Sequence, residues 1–300
     1  LLVSFSLGSF NVDLNSILDW SDGKIVDKEL NDPEAPFPIR NFIINIEENE
    51  SLAIQATIGS KSIFLNREIE GLDLILNQSF EGYQKKNIET EGGEILTYFI
   101  SRPMFMRGVR LIQVSVLPFQ YDNSTKEYVF YDKINVSVDI LQNGEQRNLS
   151  NVSLSEEFNT LISSFVDNYE PRERNEDVSP SILFICGGNS ANESSMQNLI
   201  SWRRQMGYEV HVAEVNDIGN TTTSIRNYIQ SSYENWSNPP EYVVLVGDTD
   251  GSYSIPYFST TWGSSDYDYT LLEGDDLFPE MFIGRISANG SSDLDNIINK

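Results

Sequence analysis

Three short apolar runs, residues 182–186, 242–246 and 281–286, constrain the second half of this 300-residue chain more than any other feature. Five or six residues rich in Val and Ile, with almost no polar interruption, read as strands covered on both faces, the condition of a parallel sheet. The segments between them have a different period. Met196, Leu199, Ile200, Arg203 and Met206 fall at helical spacing and stop at Gly207, residues 208–215 read as the next strand, and Thr221 to Thr223 offer an N-cap ahead of Ile225, Tyr228 and Ile229. That second helix stops before Pro239-Pro240, and another begins near Asp293. Strand, helix, strand, helix, strand with short connections predicts a right-handed parallel α/β unit with helices on both faces. In such sheets ligand-handling groups lie just past the carboxyl ends of the strands, which places Asp248, after Gly247, where chemistry or ion binding is expected.

The first half has another rhythm. Residues 41–46, 52–58, 95–100, 109–116, 128–131 and 134–140 are short runs rich in Ile, Val, Phe and Tyr, and Phe5, Leu7, Phe10 and Val12 suggest a first strand. Ile134, Val136, Val138 and Ile140 alternate with Asn135, Ser137 and Asp139, as a half-buried antiparallel strand requires. Turn residues such as Asp122-Asn123-Ser124 punctuate them, so a β-sandwich is expected. The fold class read from the chain is therefore α+β in two domains: an all-β sandwich over 1–145 and an incomplete α/β parallel sheet over 180–300. Residues 146–179 have linker composition with one short amphipathic helix, and the segment with Arg172 and Arg174 reads as a solvated tether first and as an exposed protease target second.

Composition excludes several functions. Asp and Glu outnumber Lys and Arg by 45 to 20, a net charge of -25, which repels nucleic acid and anionic membranes, suits a secreted protein or one from a saline habitat, and favours cation binding. One Cys and one His provide neither a disulfide framework nor a structural zinc site. No run is long enough for a membrane-spanning helix. The chain opens without an initiator Met and stops within a helix pattern, so it reads as a piece of a longer protein. The Asn-x-Ser/Thr sequons, such as those at Asn77 and Asn192, are explained by a chain rich in Asn and Ser.

Chemistry concentrates between the last two strands. Asp266, Asp268, Glu273, Asp275, Asp276 and Glu280 repel one another unless water, a cation or basic partners neutralise them. Asp276, Phe278 and Glu280 alternate, so two carboxylates and a carbonyl converge on one side, with Asp248 as a further oxygen donor; calcium accepts such irregular oxygen sets. A solvated acidic turn, or a carboxylate pair acting on a glycoside beside Trp262, Tyr267 and Tyr269, is read equally well from spacing alone. Cys186 and His211 both sit inside strands, where packing explains them better than nucleophilic catalysis. The Gly187-Gly188-Asn189 turn lacks the remaining glycines and lysine of a phosphate loop.

The ordered set W-R-R-Q-x-G-Y, Y-V-V-L-V-G-D, S-D-x-x-Y, L-x-G-D-D and F-I-G-R, over residues 202–285, resembles the first subdomain of the gingipain-type cysteine endopeptidases. NDPEAPFPIRNFIINI and RPMFMRGVRLIQVSVLPFQYDNSTKEYVFYDKINVSVDI are similar to that family's propeptide. The resemblance implies a caspase-like catalytic fold, with the catalytic Cys and His supplied from beyond residue 300. It implies a calcium site at Asp248, Glu273, Asp276, Phe278 and Glu280, the family's carbonyl ligands falling at Glu273 and Phe278. It also implies a protein or peptide substrate for the complete enzyme, the chain's own propeptide as a partner of the catalytic domain, activation by cleavage near Arg172 and Arg174, and export to the cell surface or beyond. The alternative is a truncated, inactive calcium-binding module for adhesion or interaction.

Overall fold

The computed structural model describes residues 2–11, 18–19, 26–27, 39–48, 50–65, 80–90, 92–122, 124–125, 127–142, 154–171, 179–261 and 263–300. The chain packs as two units. The first comprises Leu1–Met104, Arg110–Asn148 and Leu161–Glu170; the second comprises Phe105–Val109, Leu149–Thr160 and Pro171–Lys300.

The first unit is built of strands β1 (Leu2–Asn11), β2 (Leu18–Asp19), β3 (Val26–Asp27), β4 (Arg40–Asn45), β5 (Glu50–Leu65), β6 (Gln84–Glu89), β7 (Ile95–Ile100), β8 (Met104–Met106), β9 (Val109–Leu117), β10 (Phe119–Asp122) and β11 (Glu127–Gln142). The β8–β9 turn belongs to the second unit. Two antiparallel sheets hold most of them. In one, β11 is central, paired along its length with β5 on one side and with β10 and β1 on the other. In the other the order is β4-β9-β7-β6, with β8 also on β9. Ile44, Leu96, Val114 and Val116 from the second sheet share one core with Ile134, Val136 and Val138 from the first. Each side chain so buried contributes roughly 1.5–3 kcal/mol relative to exposure. Tyr131 crosses this core to donate its hydroxyl to the Ile95 carbonyl at 3.0 Å.

The expected linker is only partly a tether. Helix α1 (Glu156–Ser163) buries Phe158 and Ile162 completely, and Leu154, Val166 and Tyr169 are buried as well. Asp167 and Asn168 pair with β4: Asp167 N–H donates to the Ile43 carbonyl, and Asn168 exchanges hydrogen bonds with the Asn45 backbone. Apolar residues at helical spacing outweigh the charged flanks that suggested a tether. Arg172 and Arg174 lie outside the described residues.

The second unit holds a four-stranded parallel sheet in the order β13-β12-β14-β17, with β12 (Ser181–Cys186), β13 (Glu209–Glu214), β14 (Tyr242–Val246) and β17 (Phe282–Ile286). Alternate β12 residues face opposite layers. Leu183 and Ile185 pack with Ile225, Ile229 and Tyr233 of α4 (Thr222–Asn235). Ile182, Phe184 and Cys186 pack with Met196 and Ile200 of α2 (Ser194–Gln205) and Leu294 of α5 (Ser291–Ile298). A four-residue helix, α3 (Val215–Ile218), and a small hairpin of β15 (Phe258–Thr260) and β16 (Gly263–Ser265) complete the unit. The Thr221 side chain accepts the Ser224 N–H at 3.0 Å, the N-cap expected for α4. Gly207, at φ 91°, lies one residue past the C-cap of α2, as expected.

Candidate functional site

Gly187 follows strand β12 and Gly247 follows β14, and the segment after Asp248 folds back over both ends. A Cβ on Gly187 would lie 2.1 Å from the Tyr253 carbonyl oxygen, and one on Gly247 only 1.8 Å from it, so the backbones approach this closely only because both residues are glycine. The Gly187-Gly188 turn is thus filled by the chain's own loop rather than shaped to receive a phosphate.

Arg285, the last residue of the F-I-G-R run, fastens that loop. Its Nε and Nη2 donate to the two Asp266 carboxylate oxygens at 2.8 and 2.7 Å. Nη1 also donates to the Gly247 and Ile255 carbonyls at 3.0 Å each, and Nη2 to that of Pro256 at 3.2 Å. A planar guanidinium suits this arrangement because it presents five donors in a fixed fork.

The acidic loop leaves this edge and crosses one face of α4. Arg226, Gln230 and Tyr233, at i, i+4 and i+7, form the ridge that carries it. Arg226 donates to the Asp268 carbonyl at 3.3 Å and also to that of Leu271, Gln230 to that of Leu272 at 3.2 Å, and the Tyr233 hydroxyl to Glu273 Oε1 at 2.8 Å. Tyr269 is fully buried, with its hydroxyl on the Pro256 carbonyl, which removes it from a sugar-binding cleft. Tyr267 is exposed and Trp262 lies outside the described residues.

The loop ends where β14 and β17 begin. Glu280 is fully buried just ahead of β17; its Oε2 accepts the Leu272 N–H at 2.6 Å, while Oε1 has no hydrogen-bond partner among the described residues. Burial pushes its pKa up to about 8, and the Glu273 and Asp276 charges add to the rise, against backbone N–H donors at Leu272 and Glu273. Asp276 accepts the Phe278 N–H on Oδ1 and the Phe105 N–H on Oδ2, each at 2.8 Å; Glu273 Oε2 accepts the Gly108 N–H at 3.2 Å. Glu273, Asp276, Phe278 and Glu280 therefore share one end of the sheet. Asp248 does not join them. It follows β14 and its N–H donates to the Ala288 carbonyl beyond β17, so it marks the edge where these parallel strands finish. At ~3.3 Å per residue, the two edges are roughly 20 Å apart. The sequence placed Asp248 at a strand end correctly, but not which end the acidic loop reaches. Among the described residues no three Asp, Glu, His or Cys side chains gather as a cation-holding group.

Cys186 and His211 do not meet either. Cys186 pairs with Glu214 and His211 with Leu183, so the thiol and imidazole occupy opposite faces of the sheet. The His211 ring lies tilted against Trp236, 4.2 Å between centroids, and contacts Glu209, while burial pushes the Cys186 thiol up to about 12, far from thiolate reactivity.

Comparison with known proteins fits the two halves separately: residues 38–174 match Propeptide_C25 and residues 175–300 match Peptidase family C25. The chain belongs to the gingipain-type family of cysteine peptidases, C25. Gingipain R2 of Porphyromonas gingivalis is 30% identical over 217 residues, covering 69% of this chain and 28% of that protein. Lys-gingipain of the same organism is 27% identical over 202 residues, covering 65% and 12%. The chain thus spans less than a third of the length of these C25 relatives. Among solved structures, that of the Arg-specific cysteine proteinase gingipain R shares 28% identity with a TM-score of 0.37, covering 46% of this chain and 29% of that one. The complex of Porphyromonas gingivalis RgpB pro- and mature domains has a TM-score of 0.35, covering 39% and 27%.

Two outcomes follow from this geometry. Arg285→Ala removes the guanidinium from Asp266 and from the Gly247, Asp248, Ile255 and Pro256 carbonyls and is expected to lower stability by about 2–3 kcal/mol in denaturant unfolding. Glu280 holds in the folded state a proton that the unfolded chain releases near its ordinary value of 4.5. Its contribution is therefore complete below that pH and is lost as pH rises towards about 8. Urea titrations of the chelated, metal-free protein should show stability falling across this window, with a shallower fall in Glu280→Gln.

Proposed function

We propose that this chain is the propeptide and the first, non-catalytic part of the peptidase unit of an exported cysteine endopeptidase. The observation that carries this reading is the paired family match, joined to the state of the one thiol: Cys186 is sealed inside the sheet and faces away from His211. In the complete protein, peptide bonds would be cleaved by thiolate attack, with an imidazole shuttling the proton and backbone amides holding the oxyanion. The reactive pair would come from sequence after residue 300, on a caspase-like sheet continuing the four strands seen here. Residues 38–174 would restrain that activity until the chain is cut near Arg172 and Arg174. A protein extended to the length of its relatives should hydrolyse peptides, lose that activity on thiol alkylation, and keep it in Cys186→Ser. Hydrolysis that resists alkylation, or none after linker cleavage, overturns the reading.

A calcium ion at the acidic loop belongs to the same proposal. Support comes from Glu280, a buried carboxylate with an oxygen lacking a hydrogen bond, beside Glu273 and Asp276. These side chains, which do not gather as a preformed group among the described residues and which the ion would draw together, and the Phe278 carbonyl are the oxygen donors we assign; Asp248 is not among them. Bound calcium would neutralise the mutual repulsion of the three carboxylates and hold the loop ahead of β17. Chelation with EDTA is expected to lower the melting temperature of the wild-type chain and to leave that of Asp276→Ala unchanged. An unmoved wild-type melt removes the ion from the proposal.

A further inference from the structure

The family boundary and the packing boundary do not coincide. Residues 105–109 and 149–160 lie within the propeptide match of 38–174, yet both pack in the second unit. The β8–β9 turn carries Arg107, which is only 2% exposed although it is an arginine at a turn tip. Its guanidinium Nη1 donates to the carbonyls of Glu280 at 2.9 Å and Pro240 at 3.0 Å, and Nη2 to that of Pro239 at 3.2 Å. The same group lies over the Phe158 ring, 5.2 Å from its centroid, and that ring contacts Phe282 at 4.3 Å. Arg107 adopts φ 47° and Gly108 φ 72°, the left-handed pair that a two-residue hairpin turn demands. Arginine is a poor residue for that backbone, so its presence points to what its side chain reaches. The N–H groups of Phe105 and Gly108, on either side, donate to Asp276 and Glu273.

We propose that Arg107 and this carbonyl socket form a latch that retains the propeptide segment after the backbone is cut between residues 171 and 179. The proposal rests on the reading of residues 38–174 as a propeptide and names what holds it. The socket lies where β14 and β17 begin, not past the carboxyl ends where the chemistry of a parallel sheet is expected. Lysine, a point charge on a flexible stem, does not reproduce a fork spanning three carbonyls.

The test uses the full chain with a site-specific protease sequence inserted between residues 171 and 179. Cut wild-type protein is expected to elute from size exclusion as one species of the uncut size, and cut Arg107→Ala as two fragments. Arg107→Lys should dissociate at a concentration at least tenfold higher than wild type does. Circular dichroism of the uncut chains checks that each variant folds. Hydrogen exchange at the Phe105 and Gly108 amides should be slow in wild type and fast in Arg107→Ala. Wild-type fragments that separate on cutting, or fragments of either variant retained as tightly as wild type, overturn the latch. If the fragments stay latched while the extended protein shows no peptidase activity, the functional reading falls and the latch stands.

Discussion

The fork of Arg285 between Asp266 and the carbonyls that follow β14 is the interaction on which the second unit's strand-end architecture depends. A parallel sheet leaves all its strand ends of one kind along one edge, where backbone groups need partners. Here the segment after Asp248 supplies some of them by lying against Gly187 and Gly247, and Arg285 supplies the rest. The same guanidinium binds the first carboxylate of the acidic loop and so sets where that loop starts. Its course along Arg226, Gln230 and Tyr233 then brings Glu273, Asp276 and Glu280 to the opposite edge.

A chain with a net charge of -25 has few cations to place. Two of its arginines serve the two edges of one sheet, and both spend most of their donors on carbonyl oxygens. The carboxylates of the loop are met chiefly by backbone N–H groups and a tyrosine hydroxyl, which offset desolvation without adding positive charge. Arg107 shows the tension. Burial pushes its pKa down, and the nearby Glu241, Glu273 and Glu280 push it back up.

The parts of the fold that were legible in the sequence are those where packing allows little choice. Strands β12 and β14 read as unbroken apolar runs because both faces are covered. The Thr221 cap and the Gly207 stop were visible because only a few residue types fit such positions. Strand β6, Gln-Lys-Lys-Asn-Ile-Glu, carried no such signal: it is an edge strand, and five of its six residues are exposed. The short amphipathic helix within the linker was legible from its spacing, but the charged flanks masked how deeply Phe158, Ile162 and Val166 are buried. In the candidate site, the carboxylates were found by their density, but Asp248 was grouped with them because sequence proximity does not say which end of a parallel sheet a loop returns to. Arg107 was invisible, since no local pattern distinguishes an arginine aimed at solvent from one aimed at a distant carbonyl. The spacing of Arg226, Gln230 and Tyr233 was readable in principle, as a polar ridge beside the apolar stripe of α4.

Because the partners of Arg107 are peptide oxygens, their strength as acceptors is fixed by the amide bond and does not titrate under mild acid. Loss of the negative charge around it weakens the long-range field holding the guanidinium, yet leaves its three direct contacts in place. Where acidity swings widely, an arginine seated on main-chain oxygens keeps its footing while a salt bridge between side chains dissolves.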